Sequence, residues 1–166
     1  MTTRRRFLAL PLGAAALSLV PLAATPAAAQ SAPVGSVRIE ATPSVISAWG
    51  PHLPMVAAEL QGTLAEILGP ALQPRSGTRL VVTISSIWLN GFAGGGIWSG
   101  TGGSNDYLES TATLYDRSGR PIASYPIRST ESSGGAGAWY LQDVDQRRLK
   151  ALARNNAWWI KRYLAG

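Results

Sequence analysis

The stretch Asp106-Tyr107-Leu108-Glu109-Ser110-Thr111-Ala112-Thr113-Leu114-Tyr115-Asp116, followed by Arg117-Ser118-Gly119-Arg120 and then Pro121 to Arg128, decides the fold. Leu108, Ala112 and Leu114 share one parity, and Tyr107, Thr111, Thr113 and Tyr115 share the other, the period of a strand with one buried face. After the turn, Ala123, Tyr125 and Ile127 supply a second apolar parity, so the segment predicts an antiparallel hairpin. Pro126 has no backbone donor, which puts the returning strand at a sheet edge or gives it a bulge.

Upstream, Arg79 to Leu89 reads as a strand in which Leu80, Val82 and Ile84 alternate with Val81, Thr83 and Ser85. The phase slips at Ser85-Ser86, and Ile87 and Leu89 continue on the other parity, the pattern a β-bulge produces. Asn90 to Asn105 carries Gly91, Gly94, Gly95, Gly96, Gly100, Gly102 and Gly103, too much backbone entropy for a regular element, and predicts a loop. Ser36 to Ala41 places Val37 and Ile39 on one face and Arg38 and Glu40 on the other, a short half-buried strand that Thr42-Pro43 ends. From Met55 to Leu68, the residues Val56, Leu60, Leu64, Ile67 and Leu68 form one stripe at helical period, with Pro51 and Pro54 at its start and Gly69-Pro70 as its stop.

Downstream, Glu131 to Gly137 predicts a second glycine-serine loop, and a helix runs from about Asp143 to Leu164. Leu149, Leu152, Ala153, Asn156, Trp159, Ile160, Tyr163 and Leu164 share one of its faces; Arg147, Lys150, Arg154 and Lys161 share the opposite one. Asp143 suits the amino-terminal cap, and Lys161 and Arg162 suit the carboxyl end of the dipole. The order strand, helix, strand, strand, strand, helix predicts an α+β fold: two helices packed on one face of a small, mainly antiparallel four-stranded sheet.

The amino terminus reads as a removable segment. Arg4, Arg5 and Arg6 precede an apolar stretch from Phe7 to about Ala24, and Ala27-Ala28-Ala29 supplies the small residues a signal peptidase accepts, with cleavage expected between Ala29 and Gln30. The six residues Thr3-Arg4-Arg5-Arg6-Phe7-Leu8 resemble the twin-arginine motif at every position, with Arg4, Arg5, Phe7 and Leu8 as its signal residues; the resemblance implies export in the folded state. The expected organisation is a signal peptide over 1–29, a disordered leader over 30–35 and one α+β domain over 36–166. Setting aside Arg4, Arg5 and Arg6 lowers the net charge from +6 to about +3, so a nucleic-acid partner is not expected. No cysteine is present, which excludes disulfides, thiolate chemistry and a lipidated cysteine. The expected location is the periplasm, as a soluble domain after cleavage, with the extracellular space as the alternative.

Catalytic signals are weak. His52 is the single histidine, and no Gly-x-Ser-x-Gly nucleophile motif accompanies it. One histidine without cysteine does not make a zinc site, and Asp143 and Asp145 lack the EF-hand pattern. The glycine-rich stretch has neither the Gly-Lys-Ser/Thr ending nor the Gly-x-Gly-x-x-Gly fingerprint of a phosphate cradle, so no cofactor is expected. The candidate contact residues are Phe92, Ile97 and Trp98 on that stretch, and Arg147, Lys150, Arg154, Trp158 and Lys161 on the last helix. A basic face bearing a tryptophan suits an acidic partner or an anionic membrane surface.

The element order, together with Asp145-x-x-Arg148, Leu149, Leu152-Ala153 and Trp159, resembles small bacterial envelope proteins: the amino-terminal domain of the Tol-system propeller protein, the curli-secretion lipoprotein and auxiliary lipoproteins of transport systems. The resemblance implies two helices against a small sheet and work by docking or assembly; it carries over no functional residue. The lipidated cysteine of the lipoprotein members is missing. Together these readings predict an exported, non-catalytic accessory or binding protein of the cell envelope whose partner is a protein or another envelope component. The alternative is a small periplasmic hydrolase or carbohydrate-active enzyme whose carboxylates, Asp106 and Glu109 among them, converge in the fold.

Overall fold

In the computed structural model, which describes residues 33–91, 105–137 and 140–165, the second strand carries the interior of the sheet. Strand β2 (Arg79–Trp88) lies between β1 (Ser36–Ala41), which runs parallel to it, and β3 (Asn105–Tyr115), which runs antiparallel. Strand β4 (Pro121–Ser132) pairs antiparallel with β3, and the sheet order is β1-β2-β3-β4. Leu80, Val82 and Ile84 are buried, the register shifts between Ile84 and Ser86, and Ile87 resumes the buried face. The expected bulge is therefore present, with Ser85 as the extra residue.

Helices cover one face of this sheet. Helix α1 (Pro43–Trp49) buries only Val45. Helix α2 (Leu53–Leu68) connects β1 to β2 and buries Val56, Leu60, Leu64 and Leu68, a stripe at spacings of four. Helix α3 (Val144–Ala165) packs beside it and buries Leu149, Leu152, Ala153, Asn156, Ala157, Ile160 and Leu164. Ala153 and Ala157, fully buried, are small enough to let the helix lie close to its neighbours. Trp159 and Tyr163, expected on the apolar face, sit at its rim, 37% and 45% exposed, with Tyr163 stacked on Tyr125 of β4, the last strand of the sheet among the described residues. Strand β4 is an edge strand, as Pro126 requires.

Three expectations need correction. The segment 30–35 is not wholly a disordered leader. Val34 is 0% exposed; its N–H donates to Ala71 O at 2.8 Å and its carbonyl accepts from Gln73 N–H at 2.7 Å. Gly35 N–H donates to Thr78 O, and a Cβ on Gly35 would stand 2.5 Å from that carbonyl, so only glycine fits. A lone buried valine among small residues has no periodicity to betray it. Second, helix α1 was not foreseen: Pro43 ends the strand and also starts a helix, being tolerated in a first turn. Third, β4 runs on to Ser132, into the expected second loop, because Ser129 faces inward and donates to Leu108 O at 3.1 Å.

The β3–β4 turn is held by one carboxylate. Asp116 accepts from Ser118 Oγ at 2.6 Å and from Arg120 N–H at 2.9 Å, while Gly119 takes a positive φ of 82°. The hydrogen bond from Ser118, then that from the Arg120 backbone, holds the Asp116 carboxyl below its ordinary value near 3.8. A depressed carboxylate stabilises the fold above that ordinary value, and the contribution is lost as pH falls through the folded one. Ser118→Ala is expected to move the Asp116 titration midpoint upward, read by NMR titration of the carboxyl carbon. Val34→Ala is expected to cost about 2 kcal/mol in chemical denaturation, from two lost methyl groups and the cavity they leave.

Candidate functional site

The inner face of β3 opens with an acid where an apolar residue is ordinarily found. Asp106 is 0% exposed, and Arg148, one turn into α3, is 4% exposed. Arg148 Nε donates to Asp106 Oδ2 at 2.7 Å, and Nη2 donates to Asp106 Oδ1. Nη2 also donates to the Asn90 carbonyl at 2.7 Å, and Nη1 to Asp145 Oδ1 at 2.9 Å. Asn90 N–H in turn donates to Asp106 Oδ1 at 2.9 Å. Asn90 and Asp106 bracket the glycine-rich segment 92–104, so one guanidinium ties both of its ends to the helix.

The pair is fully engaged. The hydrogen bonds that Arg148 donates to Asp106 raise its pKa, against the opposing pull of burial, so the guanidinium stays charged. The described residues contain no buried side-chain nitrogen or oxygen without a partner. A cleft of roughly 440 Å³ lies beside the pair, lined by Trp49, Leu89, Asn90, Gly91, Val144, Asp145 and Arg148. With four of its five donors committed to Asp106, Asp145 and Asn90, the arginine acts there as a fixed structural cation.

A second buried polar layer lies further along α3. Ser110 Oγ donates to Asn156 Oδ1 at 2.9 Å, and Asn156 Nδ2 donates to Ser129 Oγ at 3.3 Å. These bonds fix the helix against β3 and β4 at one register, since sliding α3 strands three buried polar groups.

The residues expected to form the basic contact face are distributed differently from the expectation. Arg154 Nε donates to Glu59 of α2 at 2.5 Å, and Arg147 Nε to Asp143 at 2.8 Å. Both cations are thus partly neutralised within the chain. Lys150 is half-buried. Trp158 is 56% exposed with Lys161 Nζ 5.1 Å from its ring centre, and Arg162 stands 5.2 Å from the Trp159 ring. Phe92, Ile97 and Trp98 lie outside the described residues, as do Arg4, Arg5, Phe7, Leu8, Ala27, Ala29 and Gln30.

Asp106 and Glu109, the acids named for a catalytic pair, do not converge; the carboxylate that does approach Asp106 is Asp145, and Arg148 lies between the two. Asp106 and Glu109 sit on opposite faces of β3: Asp106 meets Arg148 inside, and Glu109 meets Arg128 at 3.6 Å outside. His52 precedes α2, edge-on to Trp49 at 6.2 Å between ring centres. No group of three His, Cys, Asp or Glu placed to hold a metal occurs among the described residues. The sequence reading missed a cluster on the sheet face opposite the helices, which no described element covers. Trp88, 54% exposed, stacks on its cross-strand partner Tyr107 at 6.3 Å, and the Arg128 guanidinium lies 4.5 Å from the Tyr107 ring centre. The parity switch at Ser85-Ser86 was the available signal, since it turns Trp88 outward.

No protein-family model matches the sequence, and no curated protein matches it significantly. Among solved structures, the chain is similar to a minor lipoprotein from Acinetobacter baumannii, at 13% identity over 79% of this chain and 92% of that one, with a TM-score of 0.41. It is similar to a protein assigned as a lipoprotein from Caulobacter crescentus, at 16% identity over 78% and 87%, with a TM-score of 0.43. It is also similar to a PelC variant from Paraburkholderia phytofirmans solved as a dodecamer, at 13% identity over 77% and 93%, with a TM-score of 0.37.

Removing one partner of the buried pair leaves the other charged and unpaired. Arg148→Met is expected to lower stability by about 3–5 kcal/mol in denaturant titration. Replacing both, as Arg148→Met with Asp106→Leu, is expected to recover most of that loss. Failure of the double variant to recover would assign the cost to the Asn90 backbone groups, which lose Asp106 and Arg148 as partners, and to packing around the helix instead of to the unpaired charge.

Proposed function

We propose that this chain is an exported accessory or binding protein of the bacterial cell envelope that acts through contact surfaces and catalyses no reaction. The observation that carries this reading is the use of eight of the nine acids: Asp106 and Asp145 are spent on Arg148, Asp143 on Arg147, Glu59 on Arg154, Glu109 on Arg128, Glu40 on Arg38, Asp116 on the turn, and Glu131 on Asn155, while the ninth, Glu66, is exposed on α2. A hydrolase built on paired carboxylates needs two of them facing one cleft. Exposed aromatic side chains, among them Trp88 on the sheet and Trp158 on α3, are of the type that dominates protein contact surfaces.

Export rests on the twin-arginine-type segment and the Ala-x-Ala exit, and the proposed destination is the periplasm. No helix among the described residues is long and apolar enough to cross a membrane. Lys161 and Arg162, each over an indole, also suit an anionic membrane surface as the envelope component that is met.

The test is retention from an envelope extract on immobilised protein, with anionic vesicles as a parallel arm. The wild type is expected to retain a defined component, and Trp158→Ala or Trp98→Ala to weaken retention about tenfold or more. Equal, empty lanes for wild type and variants, with no vesicle binding, would overturn the reading.

A further inference from the structure

The two edges of the sheet are not equally protected. At β4, Pro126 interrupts the row of backbone donors, and Asn155 of α3 donates to the Thr130 carbonyl at 3.2 Å. Strand β1, Ser-Val-Arg-Ile-Glu-Ala over Ser36–Ala41, has no proline within it and no strand on its outer side among the described residues. Thr42 N–H donates to Ile84 O at 2.9 Å, and alternation along the strand then aims the backbone groups of Val37, Ile39 and Ala41 away from β2. The same three side chains are only partly buried, beside an apolar cleft of roughly 320 Å³ at the strand edge that includes Ile46, itself 53% exposed.

The charges on this strand are arranged about its midpoint. On the outer face Arg38 and Glu40 flank Ile39, and within one protomer they meet at 2.8 Å with both side chains well exposed. An antiparallel copy centred on Ile39 sets residue 38 opposite residue 40 of the partner, so each Arg38 faces a Glu40, twice. Val37 then lies opposite Ala41 and Ile39 opposite its own copy on the inner face, extending the core across the twofold axis. About six backbone hydrogen bonds form between outward-aimed groups, and the close side-chain pairs are the two ion pairs. A strand with like charges at positions 38 and 40 would repel its own copy; this one is self-complementary, as a twofold interface demands.

We infer that the β1 edge is a homodimer interface, with a second copy of this chain as its occupant and a continuous eight-stranded sheet as its product. The test is sedimentation velocity over a concentration series of the purified chain, with amide exchange at Val37, Ile39 and Ala41. The wild type is expected to dimerise, and those three amides to gain protection as the dimer fills. Arg38→Glu and Glu40→Arg each place like charges opposite one another and are expected to weaken self-association about tenfold or more. Mixed together, the two single variants are expected to form a heterodimer, and the exchanged double variant R38E/E40R is expected to dimerise again. Circular dichroism of each variant shows that the protomer is folded. A monomer at every concentration, a dimer indifferent to all four charge arrangements, or protection of the three amides only by a foreign peptide or by vesicles would overturn the inference.

Discussion

The buried pair between Arg148 and Asp106 holds together parts of the chain that packing alone leaves separate. Its partners lie at the end of β2, the start of β3 and the first turn of α3. A charge removed from water is costly, and it persists here because three acceptors surround one guanidinium: two carboxylates and a peptide carbonyl. Apolar contacts of the same volume would tolerate small shifts of the helix. The fork geometry of arginine does not, and it sets where α3 begins relative to the sheet. The layer of Ser110, Asn156 and Ser129 repeats the constraint two turns later, so the helix is positioned twice by polar groups and held between those points by leucine and alanine.

This arrangement divides the molecule by face. The helical side of the sheet is committed to the core. The opposite side carries Trp88, Tyr107 and Arg128 at one end and the Arg79–Tyr115 contact at the other, with Thr83, Thr111 and Thr113 between. Few of these side chains take part in the main core, so their identity bears on stability mainly through local cross-strand pairs.

Much of the fold was legible because its signals are periodic. The stripe Val56, Leu60, Leu64 and Leu68, the alternation in β2 and β3, and the phase slip at Ser85-Ser86 each state a geometry directly. Val34 and helix α1 escaped because a single buried residue and a seven-residue helix are shorter than the windows in which periodicity is measured. The buried pair escaped for a different reason. Asp106 and Arg148 stand 42 positions apart, and each taken alone looks like an ordinary surface charge. Likewise, the bond of Arg154 to Glu59 joins two helices 95 positions apart and has no local sequence signal. Long-range polar pairing leaves no local trace, which is why the site was less legible than the scaffold.

The bulge at Ser85 gives β2 something like a reading frame. Before it, even-numbered residues face the helices; after it, odd-numbered ones do. A substitution within the strand changes one position on one face. A gain or loss of one residue between Ile84 and Trp88 exchanges the faces of the remaining strand, sending the indole of Trp88 toward the core and Ile87 toward water. The strand is therefore permissive toward drift in composition and strict in length.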